Sequence, residues 1–281
     1  MDGAQTYVER VPVAALASRV RTVWIQHTGP EPYLQRNLPT GGVEVHCPIG
    51  GLPRLVGPLT ASHVEVLAPH TTVVGARFWP GAAAPLLGIP AEELVDVTVE
   101  FGDLWAGNAA RLGELLAAAS GPDAALELLQ RYLLRRQARA DDPDPLVTEA
   151  ARRLMPWRPV EIGALTAELV ISASQLRRRF SATVGIGPKT LQRTLRMQGY
   201  LALAQTAASS DAPVLTGGLA DLAAEAGYAD HAHLSRECLR LTDLTPRQLL
   251  GGRSDRCGCG HDHAASYRPF LAGRARVVRT G

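Results

Sequence analysis

Two clusters of side chains carry groups suited to reading a nucleic acid, and they recur along the chain. Ser174, Arg177 and Arg178 form the first; His231, Ala232, Ser235 and Arg236 form the second, with Arg178 and Arg236 58 positions apart. A guanidinium is a planar fork that can donate two parallel hydrogen bonds to the O6 and N7 of guanine, or to a phosphate. Serine and histidine can meet base edges or backbone oxygens. Arg179, Lys189 and Arg193 stand close by as phosphate contacts. Lys189 is the one lysine among 29 basic residues, so nearly every positive charge is an arginine.

A third set, Cys257, Cys259, His261 and His263, places four soft donors within seven residues. Thiolate and imidazole suit zinc or cuprous copper, although one-residue spacings are tighter than those of a structural zinc site. Thiol redox sensing and a flexible tail are the other readings. His27, His63 and His70 are candidates to line an effector pocket, as is Glu44 paired with Arg36 or Arg77. His46 and Cys47 are neighbours in a strand-like run, so alternation sends them to opposite faces and argues against a catalytic pair. There is no serine nucleophile elbow, phosphate-binding glycine loop or HExxH helix, and no enzyme activity is expected.

The first cluster needs a helix that buries one side and presents the other. Leu176, Phe180 and Val184 recur every four residues, which predicts such a helix over about 173–183, with Ser172 as its cap and a shorter helix before it over 160–169. The second cluster repeats the device. A helix over 218–226 exits through Gly227, Asp230 caps the next, and Leu234, Cys238 and Leu241 take the buried side over 231–241. Leu176, Phe180, Leu234 and Cys238 are thus the core of two helix-turn-helix units. A long helix over 189–208 lies between them, and further helices are expected over 146–155 and 246–251.

The front of the chain differs. Residues 20–25, 42–47, 63–67 and 71–78 are β-branched or aromatic runs separated by Gly and Pro turns, which predicts a small barrel or sandwich. Helical periodicity begins by residue 109 and stops at Asp141-Asp142-Pro143-Asp144-Pro145. The fold class is therefore α+β: a β-rich sensor or interaction domain ending in helices (1–140), a linker (141–145), an all-α domain with two helix-turn-helix units (146–251) and a Cys/His-containing flexible tail (252–281). Net charge runs from −5 over 1–145 to +4 over 146–256 and +3 over 257–281, which directs an anionic partner to the second half. With 281 residues and 46% hydrophobic content, intrinsic disorder and a disulfide-stapled module are excluded. No apolar run of membrane-spanning length and no signal-peptide core is present, so a cytoplasmic protein without membrane partners is expected.

Residues 146–251 resemble the DNA-binding domain of AraC/XylS-type transcriptional regulators. The resemblance is carried by Ser174 to Phe180, Val184 to Lys189, Leu222 to Tyr228, His233 to Arg236 and Leu241 to Pro246, in family-like order. It implies that both recognition helices enter successive major-groove segments on one face of duplex DNA. Three features depart from the family: Cys238 stands where an aromatic residue is usual, the 207–218 connection is longer, and the CGCGHDH segment is additional. Residues 7–107 are similar to the strand-rich N-terminal domain of an actinobacterial subgroup, through Val74 to Gly81 and Asp103-Leu104-Trp105. The expected function is sequence-specific transcriptional regulation, responsive to a small-molecule effector through the N-terminal domain, with a homodimer and RNA polymerase as further partners. The alternatives are a metal- or redox-responsive regulator sensing through its tail, and a DNA-repair or DNA-modifying enzyme.

Overall fold

The computed structural model describes residues 5–100, 108–157, 160–209, 219–251 and 263–280. Its first part is a six-stranded antiparallel sheet in the order β1-β2-β7-β4-β5-β8, faced by a two-stranded sheet of β3 and β6. The strands are β1 (Thr6–Arg10), β2 (Val20–His27), β3 (Tyr33–Asn37), β4 (Glu44–Pro48), β5 (Arg54–Val56), β6 (His63–Leu67), β7 (Thr72–Phe78) and β8 (Thr98–Glu100). Alternation divides the large sheet into two chemically different faces. Val23, Val45, Cys47, Val74, Ala76 and Phe78 point to one side. There they pack against α2 (Asn108–Ala117) and α3 (Pro122–Gln137), whose Leu126, Leu129 and Leu133 are fully buried, while the short α1 (Ala84–Leu87) fills an edge through Leu86 and Leu87. Trp24, Gln26, Glu44, His46 and Arg77 belong to the opposite, polar face and line a cleft under β3 and β6. Gly75 lies across from Trp24 in the β2–β7 ladder, and a Cβ there would fall 2.2 Å from the indole ring, so only glycine fits.

The second part is helical: α4 (Pro145–Arg153), α5 (Ile162–Glu168), α6 (Ala173–Val184), α7 (Pro188–Ser209), α8 (Leu219–Glu225), α9 (His231–Thr242) and α10 (Pro246–Gly251). Its core runs from Val147 and Leu165 through Leu176 and Phe180 to Leu191, Leu195 and Tyr200, and on to Leu234 and Leu249. The two-part α+β architecture is the one expected from sequence.

One expectation needs correcting. Residues 264–280 are not a structureless tail but a helix, α11 (Ala264–Thr280), which packs on α7 and lies across β1 and β2. Tyr267 and Phe270 are its buried anchors, at 4% and 0% exposure. Two aromatic side chains driven into a seam between domains supply the apolar contact that the local composition lacks. The 141–145 segment is likewise held in place, because Arg19 donates to the Asp141 carbonyl and the Asp142 carboxylate while Asp144 caps α4.

Candidate nucleic-acid interface

The first unit is α5, a tight turn and α6. Val170 in the turn has φ of 54°, an unusual backbone for a β-branched residue, and is almost fully exposed. Ser172 then starts α6 with a reciprocal capping box: its hydroxyl accepts from the Gln175 N–H, and the Gln175 side chain accepts from the Ser172 N–H. Leu176, Phe180 and Val184 are buried as the four-residue spacing requires. Ser174, Arg177 and Arg178 are exposed on the outer side of the same helix.

The second unit, α8, Gly227 and α9, follows the same plan. Gly227 has φ of 84°, and the Asp230 carboxylate caps α9 by accepting from the His233 N–H at 2.6 Å. Leu234, Cys238 and Leu241 are buried. His231, Ala232 and Arg236 are exposed and Ser235 is half-buried, with its hydroxyl 3.4 Å from His231 Nδ1. Cys238 rests against Met197, and its thiol is pushed up to about 12 by burial and then by Glu237. A thiol so far from thiolate formation is a packing group and a poor redox sensor.

The three phosphate candidates divide. Lys189 is exposed and 3.2 Å from Gln192 Oε1. Arg179 is exposed but donates to Asp144 Oδ2 at 2.6 Å, which ties α6 to the cap of α4. Arg193, read from the sequence as a backbone-phosphate contact, is paired within the protein. Its Nε and Nη2 donate to the two carboxylate oxygens of Glu237, each at 2.7 Å, and both side chains are largely buried. This fork joins α7 to the recognition helix of the second unit, and no periodicity could reveal a partner 44 residues away.

The N-terminal part touches both units at the far ends of their recognition helices. Ser181 near the end of α6 donates to Glu92, while Arg36 of β3 donates to the Thr242 carbonyl and Ser62 to Asp243 at the end of α9. The N-terminal halves of α6 and α9 are left outward.

Behind β3 and β6 the polar cleft has a volume of about 60 Å³. Arg77 holds Glu44 through Nε at 2.7 Å and Glu9 through Nη1 at 2.9 Å. Glu9 also accepts from the N–H and hydroxyl of Ser266 on α11, and lies 3.0 Å from His263 Nδ1. Burial alone would raise both carboxyls; the Arg77 charge and the His46 hydrogen bond hold Glu44 well below the carboxylate range, and His263, Arg77 and Ser266 do so for Glu9. The expected Glu44–Arg77 pair is thus formed, while Arg36 points to α9 instead. His27, His63 and His70 do not line this cleft; His46 and His263 do. Glu9, Arg21, Tyr7 and Ser266 were not singled out in the sequence. The interruption of an otherwise apolar run by Arg19 and Arg21 was the available signal.

Of the soft-donor set, Cys257, Cys259 and His261 lie outside the described residues, and His263 is engaged with Glu9, Tyr7 and Tyr267. Among the described residues no three His, Cys, Asp or Glu side chains are grouped to hold a metal. Among them, too, no helix is long and apolar enough to cross a membrane.

Comparison with known proteins matches residues 8–100 to a family described as a domain of unknown function, and residues 165–251 to one described as a helix-turn-helix domain. No curated protein matches the chain. Similar solved structures include ToxT from Vibrio cholerae. An apo point variant from strain SCE256 is 10% identical, over 89% of this chain and 98% of that one, with a TM-score of 0.47. ToxT from strain O395 is 10% identical, over 87% of this chain and 97% of that one, with a TM-score of 0.45. With two units whose second helices turn arginines outward, in the order that the AraC/XylS resemblance implies, residues 165–251 are a helix-turn-helix DNA-binding domain and the chain is a transcriptional regulator.

Proposed function

We propose that this regulator reads duplex DNA through the N-terminal halves of α6 and α9 and that its N-terminal domain couples an effector to that reading. Ser174, Arg177 and Arg178 address bases in one major-groove segment, and His231, Ala232, Ser235 and Arg236 in the next; Lys189 contacts phosphate, and Arg179 does so when released from Asp144. The observation that carries this reading is the shared geometry of the two recognition helices: each is capped at its N-terminus, exposed along its arginine side and gripped at its C-terminal end by the N-terminal domain. Helix N-termini add a favourable field for backbone phosphate. A homodimer and contact with RNA polymerase extend the same reading.

The test is selection of duplexes from a random pool by the full chain, followed by competition binding. Affinity should fall steeply with salt as phosphate contacts release counterions. Arg178→Ala and Arg236→Ala should each cost about 1–3 kcal/mol in discrimination between the selected site and a scrambled one. Folded variants that discriminate as well as the parent protein would overturn the assignment of these side chains.

A further inference from the structure

The two recognition helices share a plan, but their exposed strips differ in chemistry. Their caps, Ser172 and Asp230, are 58 positions apart, the interval that also separates Arg178 from Arg236, so each residue of α6 has a counterpart at the same turn of α9. At about 3.6 residues per turn, the second, sixth and ninth positions of such a helix fall within a strip about 60° wide. In α9 these are Ala232, Arg236 and Leu239, opposite the buried Leu234 and Leu241. In α6 they are Ser174, Arg178 and Ser181, opposite the buried Leu176. One arginine therefore stands between two hydroxyls in the first unit and between two apolar side chains in the second.

Leu239 is the odd member of its strip. It is 48% exposed, whereas Leu234 and Leu241 of the same helix are at 0% and 3%. The N-terminal domain leaves it open, reaching this end of α9 at the Thr242 carbonyl and Asp243, while its counterpart Ser181 donates to Glu92. A single leucine at a surface needs no explanation in itself. Its setting does, because exposed Arg236 lies one turn before it and exposed Arg240 follows it. Such a surround favours an anionic partner, and the apolar group that a duplex projects into its major groove is the C5 methyl of thymine.

We infer that the second unit reads thymine methyl groups through Ala232 and Leu239, on either side of the base addressed by Arg236, and that the first unit, with hydroxyls at these places, does not. Leu239 is thereby a specificity residue. The inference rests on the base-reading role of Arg236. A rise of about 1.5 Å per residue sets Ala232 and Leu239 about 10 Å apart, which spans about three base steps of about 3.4 Å. The preferred second half-site should thus hold a G·C pair flanked by T·A pairs about three steps apart, an asymmetry between half-sites that the paired helix-turn-helix plan does not by itself require.

The experiment uses the full chain and the duplex selected from a random pool. The second half-site is identified as the one whose discrimination Arg236→Ala abolishes. Each of its thymines is then replaced in turn by deoxyuridine, which removes the methyl and keeps the hydrogen-bonding edge. Two of these replacements should each weaken binding about fourfold, the loss of one buried methyl contact, and those in the first half-site should change it by less than about twofold. Leu239→Ala should melt as the parent protein does, keep the parent slope of log affinity against log salt and lose the deoxyuridine penalty at one of the two thymines while retaining it at the other. A penalty caused by altered duplex shape would persist at both. A second half-site without thymine, deoxyuridine tolerated throughout, or both penalties intact in Leu239→Ala would each overturn the inference. If that variant instead changes self-association in sedimentation and keeps both penalties, the leucine belongs to a contact between chains. Tolerance of deoxyuridine with discrimination still dependent on Arg236 refutes the methyl reading alone. If no duplex is preferred, or Arg236→Ala discriminates as the parent does, the base-reading assignment and this inference fall together.

Discussion

At the scale of single residues, spacing told which side chains are buried but not what the exposed ones touch. Leu176, Phe180, Leu234 and Cys238 lie in the core because their positions share a helical face, and Arg177, Arg178 and Arg236 are exposed by the same geometry. Arg193 shows where that logic stops, since its partner Glu237 comes from another helix and the pair is a tertiary event. Its role can be separated from phosphate binding. Arg193→Ala removes one member of a largely buried fork and should lower stability by about 1–3 kcal/mol. If the residue only positions α9, the slope of log affinity against log salt will match that of the parent protein. A direct phosphate contact would instead reduce that slope by about 1, and such a reduction would contradict the positioning role.

At the scale of elements, the helices of the DNA-binding domain were legible almost to the residue, while four strands were not. The predicted 173–183 and 231–241 became Ala173–Val184 and His231–Thr242, because caps at Ser172 and Asp230 mark where each begins. β1, β3, β5 and β8 are only three to five residues long, and β1, β3 and β8 mix polar with apolar residues, so their pairing depends on partners far along the chain. α11 was missed for a related reason: Pro269 lies inside it, and its stability comes from Tyr267 and Phe270 docking on surfaces that a local reading cannot supply. The caps themselves can be tested. Ser172→Ala opens the capping box of the first recognition helix, with an expected loss of about 0.5–2 kcal/mol. Hydrogen exchange should speed up at the first turn of α6, and affinity for the selected duplex should weaken, whereas Ser172→Thr or Ser172→Asp should restore both. Unchanged exchange in the alanine variant would show that packing of Leu176 and Phe180 alone orders the helix end.

At the scale of the whole molecule, α11 and its cluster join the two halves. Glu9 on β1 receives Arg77 from the sheet and Ser266 and His263 from the segment that opens α11, and Trp157 beside the helical domain donates to the Phe270 carbonyl at 2.7 Å. The clamp is therefore partly ionic, and its response to pH has a definite sign. Glu9 and Glu44 have carboxyl pKa values in the folded protein well below their unfolded value of about 4.3. A depressed carboxylate contributes stability that is fully present above the unfolded value and is lost as pH falls toward the folded one, because the unfolded chain then binds protons that the folded chain refuses. Stability of the full chain should thus decline as pH drops below about 5. Glu9→Gln removes one of the two groups and keeps a hydrogen-bond acceptor for Ser266, so this variant should be less stable at pH 7 yet lose less stability between pH 7 and pH 3. The loss at Glu9 should also reach both halves. Near-neutral hydrogen exchange of Glu9→Gln should rise on β1 and β2 and on the face of α7 under α11, since α11 packs against all three. Denaturant melts across that pH range, combined with the exchange map, decide the matter. Parallel pH profiles for variant and parent would remove Glu9 from the account, and exchange that changes on the sheet alone would mean that α11 belongs to the N-terminal domain and does not couple it to the DNA-binding helices.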